Sequence, residues 1–280
     1  MTVGAVPRLM DGALGTELLR RGLSAGGVPE ELVLSAPDEV RAVHAAYAAA
    51  GAQLALTCTF NLGRAASLGL SDRVGPIAGW AVQLAREAAP GCVVAGALGP
   101  VTPPGIPLAP AALRAALAPP LDALVAAGAE LLWLETQGRA DEALEALRLA
   151  LERGPPVTVT LTPVERDGRL VLRDGADPGE LLLELASRGA ACVGVNCVDP
   201  GEPLTRLCEE LRPRLQVPLV LRPSAGLPGA LFAPAPWALA VARLAPLLGL
   251  VGGCCQAGPA HIAALARALA DGAQLPRGAG

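Results

Sequence analysis

Hydrophobic and polar positions along this chain follow a slow rhythm. A short apolar run ends in polar or glycine residues, and a longer amphipathic stretch follows. Eight such runs occur, over residues 7–11, 52–59, 92–98, 130–136, 157–162, 191–197, 218–222 and 249–255. They are apolar almost throughout, the pattern of strands buried on both faces of a parallel sheet. The stretches between them predict helices over 37–50, 71–89, 110–127, 140–153, 178–188, 203–211, 236–245 and 259–270. Many of these open on Pro, whose missing N–H costs nothing in a first helical turn.

Alternating strands and helices imply a parallel α/β sheet, and eight such units favour a single (β/α)8 TIM barrel over residues 1–280. In that fold the site lies at the C-terminal ends of the strands. An open doubly wound sheet is the alternative. It predicts a GxGxxG turn after the first strand, where this chain reads DGALGTELL.

Composition narrows the function classes. The 280 residues are 52% hydrophobic and 17% charged, which excludes a disordered chain. Net charge is −4, all 22 basic residues are Arg, and there are only two Phe, three Trp and one Tyr. Such a surface gives nucleic acid neither a basic footprint nor stacking platforms. The best membrane candidate, residues 237–255, carries Arg243 and is broken by Pro246, Gly249, Gly252 and Gly253, so a helix–turn–strand is expected there. The first residues lack a basic segment followed by an apolar run, and the seven Cys are an odd count. Both point to reduced thiols and a cytoplasmic location.

Strand ends carry the candidate chemistry. The first ends at Asp11-Gly12, the second at residues 57–61, the fourth at Glu135-Thr136, the sixth at Asn196-Cys197 and the eighth at Gly252-Gly253-Cys254-Cys255. Strands six and eight are one strand apart, close enough for Cys197, Cys254 and Cys255 to converge on one ion. Consecutive strand residues point to opposite faces, so the Cys pair must sit at an irregular strand end. Three thiolates suit Zn²⁺ and leave a fourth position open, as in a catalytic site. Cys58 is the weaker ligand candidate. Cys92, Cys192 and Cys208 read as small buried hydrophobes.

The expected reaction is attack by a zinc-bound thiolate on an electrophilic carbon. A zinc hydrolase is the rival, although its usual ligands are scarce here: the chain has only His44 and His261. Both read as surface residues or as members of a second layer behind the site. A strained Cys254-Cys255 disulfide in a redox sensor or binding protein is the non-enzymatic alternative. Glu135 follows LLWL and would be deep, where a carboxylate needs a cation. A substrate ammonium would serve, which fits an amino-acid thiol. Asp11 is open to a helix-capping or salt-bridge role, and Thr57 and Thr136 to hydrogen bonding nearby.

The segments DGALGTELLRRG (11–22), LTCTFN (56–61), LGP (98–100), LETQ (134–137), VGVNC (193–197), PSAGLPG (223–229) and GGCCQAGPAHIAAL (252–265) resemble, in order, the motifs of the homocysteine S-methyltransferase family. The resemblance spans nearly the whole chain. It implies a zinc-dependent barrel that methylates L-homocysteine to methionine, with S-methylmethionine or S-adenosylmethionine as donor. Cys197, Cys254 and Cys255 would then hold Zn²⁺. Asp11, Gly12 and Glu135 would hold the amino and carboxylate groups of homocysteine, and Thr57, Phe60 and Asn196 would shape the pocket. Cys58 stands where the family usually has Asn, and Gln256-Ala257-Gly258 replaces a Gly-Thr type sequence. The segment 101–107 is shorter and richer in Pro than the donor loops of stand-alone members. That brings the chain closer to the homocysteine module of cobalamin-dependent methionine synthase, and the alternative is a homocysteine-activating subunit served by a corrinoid partner protein.

Overall fold

The computed structural model describes residues 8–24, 26–102, 107–227 and 230–274. Eight parallel strands form the central sheet: β1 (Arg8–Leu9), β2 (Leu54–Leu56), β3 (Val93–Leu98), β4 (Leu131–Gln137), β5 (Val157–Leu161), β6 (Cys192–Asn196), β7 (Leu219–Arg222) and β8 (Leu250–Val251). Each pairs with its neighbours in chain order, β8 pairs with β1, and a parallel bridge from Met10 to Leu54 joins β1 to β2. The sheet is thus the wall of a (β/α)8 barrel.

Among the described residues ten α-helices surround it: α1 (Leu14–Arg20), α2 (Pro29–Ser35), α3 (Pro37–Ala49), α4 (Val74–Ala88), α5 (Pro110–Ala126), α6 (Ala140–Leu151), α7 (Pro178–Ser187), α8 (Glu202–Leu211), α9 (Pro234–Ala242) and α10 (Pro259–Gln274). The expected helices stand where the apolar rhythm put them, within a few residues at their ends. Two differences are local. The β1–α3 connection contains α1 and α2, whose seven-residue lengths are too short for helical periodicity to register. Antiparallel pairs also extend the loops after β5 (Val164–Arg166 with Arg169–Val171) and after β7 (Gly226–Leu227 with Ala230–Leu231). Among the described residues, no helix is long and apolar enough to cross a membrane.

Strand alternation explains what fills the barrel and what stands at its mouth. Met10, Leu54, Leu56, Ala95, Ala97, Trp133, Val220 and Leu250 pack together as the interior layer. Side chains two positions apart share a face of a strand. Trp133 therefore carries Glu135 on its side, and Val220 carries Arg222. Gly194 on β6 has no side chain there, because a Cβ would lie 1.9 Å from the Val220 carbonyl oxygen. Two residues on, Asn196 emerges at the same end. The larger core lies between barrel and helices and includes Leu98, Leu134, Val159, Val195 and Leu221, from the outward positions of the strands.

Candidate active site

The three candidate metal ligands lie just past the ends of their strands. β8 stops at Val251, so Gly252 to Cys255 are irregular and both cysteines are free of strand alternation. A Cβ on Gly252 would come within 2.7 Å of the Asp11 carbonyl oxygen, so the backbone approaches closely there. Cys197 has φ = 58°, the left-handed region that a residue with a Cβ rarely adopts. Such a conformation costs on the order of 1–3 kcal/mol and persists only where its surroundings impose it. They do so here: the Cys197 N–H donates to the Arg222 carbonyl at 3.1 Å, and the Cys254 N–H to the Pro223 carbonyl at 2.8 Å.

The Sγ atoms of Cys197, Cys254 and Cys255 all lie within 4.8 Å of one another, and the Cys197–Cys255 pair is 3.7 Å apart. Thiolates bound to one tetrahedral zinc at about 2.3 Å sit about 3.8 Å apart. The donor set and its spacing therefore fit Zn²⁺. Cys58 is not in this cluster; it is buried in the core between barrel and helices. Hydrogen bonds from Cys197 and Cys254 pull the Cys255 thiol down to about 3, while the same contacts hold Cys197 well above its ordinary range. The three thiols are coupled through these contacts, and an arriving cation would displace the protons they hold.

Asn196 organises the sulfurs from beneath. Its Nδ2 donates to Cys197 Sγ at 3.3 Å, to Cys254 Sγ at 3.5 Å and to Thr136 Oγ1 at 2.8 Å. Its Oδ1 accepts the Thr136 N–H at 3.1 Å. Thr136 is itself left-handed, with φ = 62°. One buried amide thus ties the ends of β4 and β6 to two of the three sulfurs.

Beside the cluster opens a cavity of about 310 Å³, bordered by Gly12, Thr57, Phe60, Glu135 and Arg222 as well as the cysteines. Asp11 is buried just behind Gly12. Its Oδ2 accepts the Leu56 N–H at 2.7 Å, so the carboxylate ties β1 to β2 and caps no helix. Thr57 and Thr59 share a hydroxyl hydrogen bond of 2.6 Å, and Thr57 Oγ1 accepts the Ala97 N–H at 3.1 Å. The Phe60 ring lies over Gly99, where a Cβ would come within 2.5 Å of it. The LGP glycine is therefore required by the ring that walls the cavity.

Glu135 does not wait for a substrate ammonium to supply its cation. Arg222 Nη1 donates to Glu135 Oε1, while Nη2 donates to Asp11 Oδ1 at 3.1 Å and to the Gly12 carbonyl at 3.2 Å. Arg222 is 2% exposed. Even so, burial outweighs the guanidinium and pushes both Asp11 and Glu135 up to about 7. The two carboxylates therefore share one guanidinium and change protonation near neutral pH.

A sequence profile described as Homocysteine S-methyltransferase matches residues 8–269. The chain belongs to the homocysteine S-methyltransferase family. It is 30% identical to a homocysteine S-methyltransferase of Escherichia coli over 92% of this chain and 93% of that one. It is also 29% identical to a methionine synthase of Mycobacterium tuberculosis over 93% of this chain, yet spans only 24% of that protein. The metallated form of the Escherichia coli homocysteine methyltransferase MmuM has the same fold, with a TM-score of 0.79 at 28% identity, covering 94% of this chain and 97% of that one. Its oxidised form superposes with a TM-score of 0.80.

As a member of the homocysteine S-methyltransferase family, the chain is a methyl-transfer enzyme, and its three clustered cysteines form a site able to hold a metal ion. Sequence reasoning did not single out Arg222, although the signal was present: the seventh apolar run, PLVLR, ends in a cation at the level of Asp11 and Glu135. It also missed two buried acids. Glu30 Oε1 accepts the Asn61 N–H at 2.7 Å, and Glu142 Oε1 accepts the Val101 N–H at 2.5 Å. These acids hold the loops after β2 and β3. His44, expected in a second layer or at the surface, is 1% exposed on α3. Cys92 and Cys192 are half-buried, and only Cys208 of that trio is fully buried. Residues 103–106, at the heart of the expected donor segment, and 228–229 of the PSAGLPG motif lie outside the described residues.

Proposed function

We propose that this enzyme transfers a methyl group to the sulfur of L-homocysteine, giving methionine, from a small sulfonium donor such as S-methylmethionine or S-adenosylmethionine. The observation that carries the reading is three thiols within 4.8 Å of one another at the edge of a cavity bordered by buried acidic groups. In this reading Cys197, Cys254 and Cys255 hold Zn²⁺, which when bound keeps a fourth, substrate sulfur deprotonated at neutral pH.

The chain's own residues do the rest. Asp11 and Glu135 bind the substrate ammonium, and Gly12 lets the substrate backbone approach. Asn196 orients the cysteine sulfurs through its Nδ2. Phe60 and Thr57 wall the cavity and exclude water from the reacting sulfur. Methyl transfer joins that sulfur to the donor carbon and breaks the bond between the carbon and its carrier. All seven cysteines are free, which suits a reducing cytoplasm.

A second reading rests on the match to a methionine synthase of which the chain spans 24%. It makes this chain a homocysteine-activating unit that receives its methyl group from methylcobalamin on a corrinoid partner protein. A donor panel with homocysteine and zinc tests both. Turnover with S-methylmethionine or S-adenosylmethionine alone is the expected result. Turnover only with methylcobalamin would replace the first reading by the second. No methyl transfer from any of these, nor from betaine, would reject both.

A further inference from the structure

The third sulfur is carried by a turn that its own sequence does not favour. Cys255 and Gln256 are the central residues of a β-turn closed by the Ala257 N–H, which donates to the Cys254 carbonyl at 3.0 Å. Gln256 has φ = 66°, while Cys255 is not left-handed. That is the pattern of a type II turn, whose third position ordinarily takes Gly or Asn. A type I turn would suit Gln, and it differs by rotation of the peptide between the two central residues. That rotation would swing the Cys255 carbonyl away from the Ala225 N–H, which it accepts at 2.8 Å, and would release the turn from the chain after β7. The strained form of the turn therefore needs a restraint.

The restraint comes from α1. Arg20 Nη2 donates to Gln256 Oε1 at 3.1 Å and to the Gln256 carbonyl at 3.4 Å, so one guanidinium fixes the side chain and the backbone of Gln256 together. The Gln256 N–H donates to Thr16 Oγ1 at 3.4 Å. Arg20 Nη1 in turn donates to Glu17 Oε1, which holds the guanidinium in place. The ion pair lies directly against the chain beyond the turn: a Cβ on Gly258 would come within 2.6 Å of Glu17 Oε1 and 2.8 Å of Arg20 Nη1.

We infer that Arg20 is a positioning residue of the three-cysteine site, clamping Gln256 in the left-handed conformation so that the turn keeps the Cys255 sulfur beside the other two. The inference rests on the reading of Cys197, Cys254 and Cys255 as a zinc site. It extends that site to a side chain 236 positions away from Gln256 in sequence. Gly adopts the left-handed conformation without penalty, so a turn with Gly at position 256 would not need the clamp.

The test is a double-mutant cycle read by zinc affinity, measured by competition with a chelating indicator. Arg20 is 40% exposed at its side chain, so Arg20→Met leaves the core intact. It should raise the zinc dissociation constant by about threefold to tenfold, the range of one hydrogen bond. In the Gln256→Gly background the same replacement should change that constant by less than about twofold. The visible absorption of the cobalt-loaded protein, which reports ligand geometry, should follow: altered by Arg20→Met and restored in the double variant. If Arg20→Met leaves zinc affinity unchanged, or weakens it by the same factor in both backgrounds, Arg20 only braces α1 and the inference is overturned while the proposed function stands. If the unaltered protein binds no zinc, the proposed function falls and takes this inference with it.

Discussion

The backbone N–H of Cys197 donates to the carbonyl of Arg222 at 3.1 Å. The residue whose side chain bridges Asp11 and Glu135 thus also pins the left-handed turn that aims the first sulfur. Metal centre and acidic pocket are therefore one unit, joined through the paired ends of β6 and β7.

Zinc content should depend on each of the three thiols. Replacing Cys197, Cys254 or Cys255 singly by Ser should reduce bound zinc from one ion per chain to a small fraction. Cys58→Ser should leave it unchanged, since Cys58 lies outside the cluster. Metal analysis after dialysis against a mild chelator, with circular dichroism to verify folding, checks this.

Asn196→Ala should damage the site without removing a ligand. It strips the donor from two sulfurs and leaves the Thr136 N–H without its acceptor. An unpaired buried donor costs about 1–3 kcal/mol. We expect a stability loss of that size in urea melts, and a kcat/KM for homocysteine lowered by about tenfold to a hundredfold as the sulfurs lose their alignment.

Acid should destabilise the fold through His44. Its two ring nitrogens have no hydrogen-bond partner among the described residues, and burial pushes the ring down to about 4 from an unfolded value of 6.5. Between those values the unfolded chain binds a proton that the folded one refuses. The stabilisation is fully present above pH 6.5 and is lost as the pH falls through about 4, by roughly 3 kcal/mol in all. His44→Leu should flatten this limb of the curve of unfolding free energy against pH.

Gly12→Ala should be among the most damaging small changes. A Cβ there would lie 2.0 Å from the Ala257 carbonyl oxygen and 2.8 Å from the Tyr47 ring. Tyr47 is fixed by its own hydrogen bond to that carbonyl, at 3.1 Å, so neither neighbour can yield cheaply. Overpacking of this kind costs about 1–3 kcal/mol. We expect a lowered Tm and the loss of homocysteine binding, since the displaced backbone carries Asp11.

The barrel was legible because its determinants are local. Both faces of each strand are buried, so every strand writes a short apolar run, and Pro and Gly punctuate the helices between them. The strand ends were legible for the same reason, and with them Asp11, Glu135, Asn196 and the three cysteines. The short helices α1 and α2 were not, because two turns carry too little periodicity to be read. Nor was the fate of the acids. Asp11 and Arg222 are 211 positions apart in the chain, and only closure of the barrel brings a cation from β7 to carboxylates at the ends of β1 and β4. Sequence alone determined which chemical groups stand at the mouth of the barrel, since strand period and strand ends are properties of the chain. Which of those groups neutralise one another only the tertiary structure decided, because charge pairing acts across space between residues that no local pattern connects.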